Sequence, residues 1–519
     1  MRTIRVLALL AIFAPVAICA EESPPVHASS TSYKIEEISL GPMPSDRVGR
    51  IVTSRRGCHI AFVMAKGEKQ YVVRDGQSGQ EYDGIVKDSL VFTEDGKRLA
   101  YVAKRGDKQF VILDGREGPE YDGILGNLLF GGDGKRLAYR AKRGDKQFMV
   151  LDGQAGLEYD EIRLLRFSPG GKRTAYVAQA GDRQFMVLDG QKESEYAEIR
   201  SFIFSPDGER VAYTARKDRK WCVVIHGQEG PQYDDLVNLV FSPDGKHVAY
   251  EAAGQGYKWR LVLDGQEVEP KYDNGGFGSV LFSPDSKHVA NIAGRAAFLK
   301  VPEMTMAGPS RLSRKAFVVL DGQPGPEYDG IGTMRFSPDG KRLAYVAKKG
   351  DRCCLVLDGE AGPEYDNVGY PIFSLDGKRV VYEAGNGGKR YVVFDGQAGP
   401  DYDWIGYVWT GRESTVFSPD GKRTAYAVRK GDKGFVVLDG RDGPQYDAAS
   451  RPVFSPDGKM MAYVARRADK RFVVFDGQEG PEYDRIAEDD YCFHTDGTVE
   501  YLAIKDGTFF RVKHVPAEK

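Results

Sequence analysis

Apolar positions in this 519-residue chain come in short bursts broken by glycine, and the bursts recur. "RLAYVAK" (Arg98–Lys104) and "QFVILDG" (Gln109–Gly115) are representative: Leu99 and Tyr101 alternate with Ala100 and Val102, and Phe110 and Ile112 with Val111 and Leu113. Such short runs, rich in aromatic and β-branched residues and bounded by glycine, read as strands and are too punctuated for helices. Both faces of each strand are apolar, so both must be covered.

The same phrase returns along most of the chain. "AKRGDKQFVILDGREGPEYDGI" (Ala103–Ile124) is followed by "AKRGDKQFMVLDGQAGLEYDEI" (Ala141–Ile162). Aligned on the phenylalanine before "SPDG", the anchors Phe130, Phe167, Phe204 and Phe241 stand 37 residues apart, and a degenerate first copy starts at Thr53. That makes twelve units. In "SPDGK" the proline presets φ, Ser and Asp bond nearby amides and Gly supplies positive φ. In "LDG" the Asp-Gly pair favours a tight reversal. One such sheet is marginal alone, so neighbouring units stack face to face. Small sheets stacked radially make a β-propeller. The expected fold is all-β, with about twelve four-stranded blades.

At this point the motif "FSPDGKRLAYVA" followed by "VVLDG" resembles the WD-repeat-like, TolB-type β-propeller family and the amino-terminal propellers of prolyl-oligopeptidase-type peptidases. The likeness spans about Thr53 to Val512. The Gly-His and Trp-Asp signatures of eukaryotic WD repeats are missing, as is the hydrolase domain of the peptidases, so peptidase activity does not carry over. The resemblance implies a periplasmic, envelope-associated scaffold.

Each unit is written d-a-b-c, with "EYDGI" as outer strand d and the segment ending in "FSPDG" as inner strand a. Two closures are open. Tyr33–Leu40 pairs with the C-terminal Thr508–His514 in one large ring, or with Trp259–Asp264 in the first of two. Six-bladed TolB-like rings and the break "NGGFG" (Asn274–Gly278) favour two six-bladed rings in tandem. The corresponding division is a signal peptide at 1–20, a linker at 21–32, and propellers at 33–274 and 275–519.

Charge sorts by turn. The b–c turns, such as "KRGDK" (Lys104–Lys108), are basic, and the c–d runs, such as "DGREGPEYD" (Asp114–Asp122), are acidic. With antiparallel strands these fall on opposite faces, which predicts a dipolar ring although Lys+Arg 73 nearly balances Asp+Glu 75. Departures from the repeat matter more, because copying does not explain them. "RAAFLKVPEMTMAGPSRLSR" (Arg295–Arg314) enlarges a b–c connection, and "DWIGYVWTGREST" (Asp403–Thr415) enlarges a d–a connection. By topology both, with the Asn274 break, belong to the basic face, and insertions on one face of a repeat protein mark its binding face. The candidate partner-binding residues are Trp404, Tyr407, Trp409, Phe298, Lys300, Met304, Met306, Arg311 and Arg314, since aromatic and arginine anchors dominate binding surfaces.

Catalytic and metal motifs are scarce. His59, His247 and His288 share a slot that elsewhere holds Arg98 or Arg342, which reads as a solvated polar position. No Gly-X-Ser-X-Gly elbow, phosphate loop or metal-ligand spacing occurs, so no cofactor, metal or catalytic residue is expected. "MRTIRVLALLAIFAPVAICA" has the layout of a secretory signal peptide, too short and wrongly flanked to span a bilayer. Cys19 raises the question of lipidation, against which Ile18 stands. The net charge of -2 argues against a nucleic-acid partner. The reading is an exported, non-enzymatic propeller that binds a protein or an anionic envelope polymer through its basic face. The alternative is a hydrolase or lyase acting on a sugar or lactone at a ring mouth, against which near-identical blades argue.

Overall fold

The computed structural model describes residues 33–43, 47–54, 59–254, 256, 258–272, 280–297, 313–406, 415–487 and 491–517. These form twelve antiparallel sheets, the blades of a β-propeller, and no α-helix. Blade 3 shows the plan: strand a is Gly123–Phe130, b is Leu137–Arg143, c is Lys146–Leu151 and d is Gln154–Tyr159. Blades are numbered along the chain, from the sheet opening at Arg47–Thr53 (blade 1) to the one opening at Arg485–Ile486 (blade 12).

The run "EYDGI" is divided between two blades. Tyr121 bridges Gln109 at the end of strand d of blade 2, whereas Gly123 and Ile124 already pair with Lys142 and Ala141 of blade 3. Strand d is therefore the stretch just after the Asp-Gly turn, and the chain crosses to the next blade at Asp122.

Of the two closures, the structure takes the single ring. Tyr33–Pro42 is strand d of blade 12 and pairs with Thr508–Pro516 from Tyr33↔Pro516 to Ser39↔Phe510. Trp259–Leu263, the expected partner in a first six-bladed ring, pairs instead with Gln266–Tyr272. The reason is local: that hairpin closes over the two residues Asp264 and Gly265, and so short a loop costs far less entropy than recruiting a distant strand. The domain boundary placed at 274 lies outside the described residues.

Blades stack through side chains of both strand faces, as the doubly apolar strands require. Leu99, Tyr101 and Ala103 pack with Ala61 and Val63 of blade 1, while Ala100 and Val102 pack with Leu128 and Tyr139 of blade 3. The last tyrosine of strand d meets the next blade edge-on: the Tyr121 ring lies 5.3 Å from that of Phe148. Turns behave as their residues demand. Ser205 Oγ accepts from the Arg210 amide at 2.9 Å, and Gly208 takes φ 76. Asp114 and Gly115 take φ 51 and 79, the left-handed pair of a tight hairpin.

Candidate functional site

Charged groups at the turns are mostly spent on holding blades together. Lys108 Nζ donates to Asp122 Oδ1 at 2.6 Å, and Asp122 Oδ2 accepts from the Gly144 amide of blade 3 at 2.6 Å. Lys146, Asp160 and Gly181 repeat the arrangement, and Lys470, Asp484 and Asp506 repeat it at the closing blade. Lys108 and the Gly144 amide hold the Asp122 carboxyl below its usual range. Arg105 likewise donates to both Glu117 and Glu120 at 2.8 Å.

These pairs correct the expected dipole. Strand d runs back across the blade, so the two ends of "DGREGPEYD" lie on opposite faces. Asp114 stays with the c–d turn, but Asp122 returns to the basic turns and neutralises them. On the c–d side Asp114 Oδ1 accepts from the Leu99 amide at 3.0 Å and its Oδ2 from Arg98 Nε at 2.9 Å. Arg98 also reaches the Lys135 carbonyl of the next blade at 2.6 Å. His59, His247 and His288 replace that arginine and engage Asp75, Asp264 and Asp321 through Nδ1 at 2.5–2.6 Å. The shared slot is therefore a built aspartate contact and not merely a solvated position.

Several blade interfaces hold cavities of similar size, ≈ 470 Å³ between blades 2 and 3 and ≈ 520 Å³ between blades 7 and 8. The cleft of ≈ 500 Å³ between blades 10 and 11 differs in the residues that make it. In blades 1–4 the corresponding site is filled by glutamine: Gln109 Oε1 accepts from the Ile124 amide at 2.9 Å, and Gln70, Gln147 and Gln184 make the same bond to Ile85, Ile162 and Ile199. In blade 10 the glutamine slot is Gly434, and blade 11 opens with Ala448-Ala449-Ser450 in place of Gly-Ile. Losing the glutamine and isoleucine side chains leaves the space. It also lets the backbones approach, so that a Cβ on Gly434 would stand 2.9 Å from Ala448 Cα.

Trp404, Arg429, Arg466 and Arg471 are among the residues that line the cleft, and Arg429 Nε donates to the Gly431 carbonyl at 3.1 Å. Trp404 occupies the slot of Gly123, pairs across the sheet with Arg429, and is held by its Nε1 donating to the Gly406 carbonyl at 2.7 Å. The Arg390 guanidinium stands 5.9 Å from the indole centroid and donates to Asn367 Oδ1 at 2.5 Å. Arg429 and Arg466 are exposed. The lining also includes Asp432 and Asp447, the latter accepting from the Ala468 amide at 2.7 Å and from Lys433 at 3.2 Å. An apolar ring beside several guanidinium groups suits an anionic group carried next to apolar surface.

Of the sequence candidates, Trp404 is at this cleft. Tyr407, Trp409, Phe298, Lys300, Met304, Met306 and Arg311 lie outside the described residues. Arg314 is described in its backbone alone, paired with Ala296 in the hairpin Val289–Ala297/Ser313–Leu320. That hairpin keeps 298–312 in the b–c connection, as expected. The other insertion is corrected: Trp404 and Ile405 already pair with Arg429 and Val428, and pairing resumes at Thr415↔Tyr426. Residues 406–414 thus interrupt strand a itself and are not a d–a connection.

Two glutamates escaped the sequence reading. Glu251 and Glu383 occupy the slot of Val102, visible as "VAYEA" and "VVYEA" against "LAYVA". Glu251 is fully buried and accepts from Asn238 at 2.8 Å, from Tyr272 OH at 3.2 Å and from Asn291 at 3.2 Å. Asn291 in turn replaces the tyrosine that faces this slot in other blades. The Glu383 backbone carbonyl accepts from the Gly369 amide at 2.8 Å, while its carboxyl, beside the interrupted strand, has no hydrogen-bond partner among the described residues. Burial pushes its carboxyl up to about 7, with Arg390 pulling the other way. Among the described residues no group of three His, Cys, Asp or Glu is placed to hold a metal, and no helix is long and apolar enough to cross a membrane.

No family model matches this chain, and no curated protein matches it in sequence. Among solved structures it is similar to the crystal structure of the eukaryotic initiation factor, at 12% identity and TM-score 0.33 over 66% of this chain and 96% of that one. It is also similar to the β-propeller domain of the Trilobed protease from Pyrococcus furiosus, described as having an open velcro topology, at 15% identity and TM-score 0.27 over 55% and 98%. The narrower TolB-type assignment finds no support in these comparisons.

Proposed function

We propose that this propeller is an exported binding scaffold whose recognition site is the blade 10–11 cleft, and that its partner is a protein presenting an acidic segment. The observation that carries the reading is the coincidence of departures. Trp404, Gly434 and Ala448–Ser450 break the repeat at one interface, and the result is a cavity with Trp404 and arginines in its lining. Lys108, Lys146 and Lys470 are committed to Asp122-type contacts, whereas Arg429 and Arg466 are exposed at the cleft. Export rests on the signal-like Met1–Ala20, and an envelope location on the motif's likeness to TolB-type propellers.

The hydrolase or lyase reading keeps one observation in its favour. Burial raises the Glu383 carboxyl to about 7, and a general acid calls for such a raised pKa. Among the described residues no nucleophile or second carboxylate is hydrogen-bonded to it.

The test is fluorescence anisotropy of the mature chain with a labelled hexaglutamate peptide, with a hexalysine peptide as control. Selective binding to hexaglutamate that weakens at least about tenfold in Arg429→Glu/Arg466→Glu and in Trp404→Ala supports the reading. Equal binding by wild type and both variants, or no binding at all, contradicts it. An anionic polysaccharide that outcompetes the peptide moves the partner class to an envelope polymer.

A further inference from the structure

A ring of twelve sheets has twelve outer edges, each a row of unpaired backbone groups that invites another strand. Most are blunted. In blades 2, 5, 7, 8, 9, 10 and 11 a Gly-Pro pair precedes the closing tyrosine, as at Gly118-Pro119 and Gly480-Pro481, and proline has no N–H to offer. Gln191–Tyr196 of blade 4 lacks the proline but presents polar side chains on both sides of Ser194.

The edge of blade 12 is different. Tyr33–Pro42 is 10 residues long, while Gln266–Tyr272, with 7, is the longest other outer strand. It has no proline before Pro42, and its only described partner strand is Thr508–Pro516. Ile35 and Ile38 are exposed at 36% and 40%. The strand is firmly seated on its inner side: the Tyr33 ring lies 4.7 Å from Phe475, and Tyr483 OH donates to Glu37 at 2.5 Å. Its free edge is thus a rigid template.

The order of charges selects the occupant. We infer that this edge pairs antiparallel with the same strand of a second copy, about a two-fold axis at Ile35. In that register Ile35 faces its own copy, each Lys34 faces Glu36 of the other chain, and Tyr33 faces Glu37. Lys34 and Glu36 already pair within the chain at 3.0 Å with exposures of 72% and 41%, so both are free to exchange partners. Opposite charges directly across antiparallel strands are stabilising and like charges destabilising. A self-complementary patch of this kind is what a two-fold dimer requires. The dimer would carry two copies of the cleft, and this inference stands whether or not the cleft binds an acidic segment.

Sedimentation equilibrium of the mature chain at about 10–100 μM, the range suited to a small interface, is the test. The expected result is a mass twice that of one chain. Glu36→Lys places lysines opposite each other and Ile35→Lys removes the central apolar pair, so each is monomeric with an unchanged β spectrum. The charge-swapped Lys34→Glu/Glu36→Lys double variant restores the dimer. A monomeric wild type overturns the inference, as does a dimer that survives both single variants. A double variant that stays monomeric overturns the proposed register.

Discussion

The interface between blades 2 and 3 and the interfaces around blade 10 are built from the same repeat and do different things. At the first, Val102 and Leu128 pack together and Gln109 caps the Ile124 amide, and the cavity of ≈ 470 Å³ between these blades lies elsewhere, against Leu113, Asp114, Tyr139 and Asp152. Around blade 10 the equivalent slots read Glu383 and Thr415 on one side and Gly434 and Ala449 on the other. The Thr415 hydroxyl is buried with no hydrogen-bond partner among the described residues. Apolar slots that turn polar, and large ones that turn small, cost stability. Interfaces such as those of blade 2 with blades 1 and 3 keep the regular apolar packing that carries such a cost. A long repeat array is in this sense a frame in which a few interfaces are free to vary.

Making the regular interface resemble the irregular one should have the largest effect. Val102→Glu places a carboxylate against Tyr139 without the asparagines that surround Glu251, and a loss of more than about 3 kcal/mol is expected in urea denaturation. A loss under about 1 kcal/mol would show that the slot is wetter than its burial implies. Making the irregular interface regular is the next largest. Gly434→Gln collides with the backbone of Ala448 and Ala449 and should cost about 1–3 kcal/mol in the same measurement, whereas a cost under about 0.5 kcal/mol would show that the backbone gives way.

Glu383 offers a pH test of the same contrast. Its folded pKa, about 7, lies above the unfolded value of about 4.3. The folded state therefore binds more protons in that window, and stability falls as pH rises from about 4.3 to 7. Glu383→Gln should flatten that slope, measured as melting temperature against pH. An unchanged slope would mean that Glu383 is not the group responsible. The smallest effect concerns the repeated clamps. Asp122 is held below its usual range by Lys108 and the Gly144 amide, so its contribution is present above the unfolded carboxylate pKa and lost as pH falls through the folded one. Asp122→Asn should be less stable than wild type at pH 7, and the gap should close in acid.

Much of this was legible in the sequence. The 37-residue spacing, the alternating apolar runs and the Asp-Gly turns specify blades, and Tyr33–Leu40 reads correctly as an outer strand in search of a partner. Which partner it finds depends on comparing two closures that look alike along the chain. Trp404 was visible because it stands with Tyr407 and Trp409 in the stretch that lengthens one unit. Gly434 and Ala448–Ser450 were not, because losing a side chain leaves no residue to notice unless each slot is compared across all blades. The two glutamates are visible by that same comparison. The charge reading failed at Asp122 because strand d carries one continuous acidic run from one face to the other, which only the strand's direction reveals.

The central claim is that recognition belongs to the departures and not to the repeat. Titration of the labelled hexaglutamate peptide into wild type and into Ala449→Ile tests it most directly, since the variant returns the isoleucine of the regular slot to the cleft lining while keeping Trp404 and every arginine. The account predicts a stable variant whose affinity falls at least about tenfold. Undiminished binding by the stable, filled variant would contradict it and return recognition to the charged turns shared by all the blades.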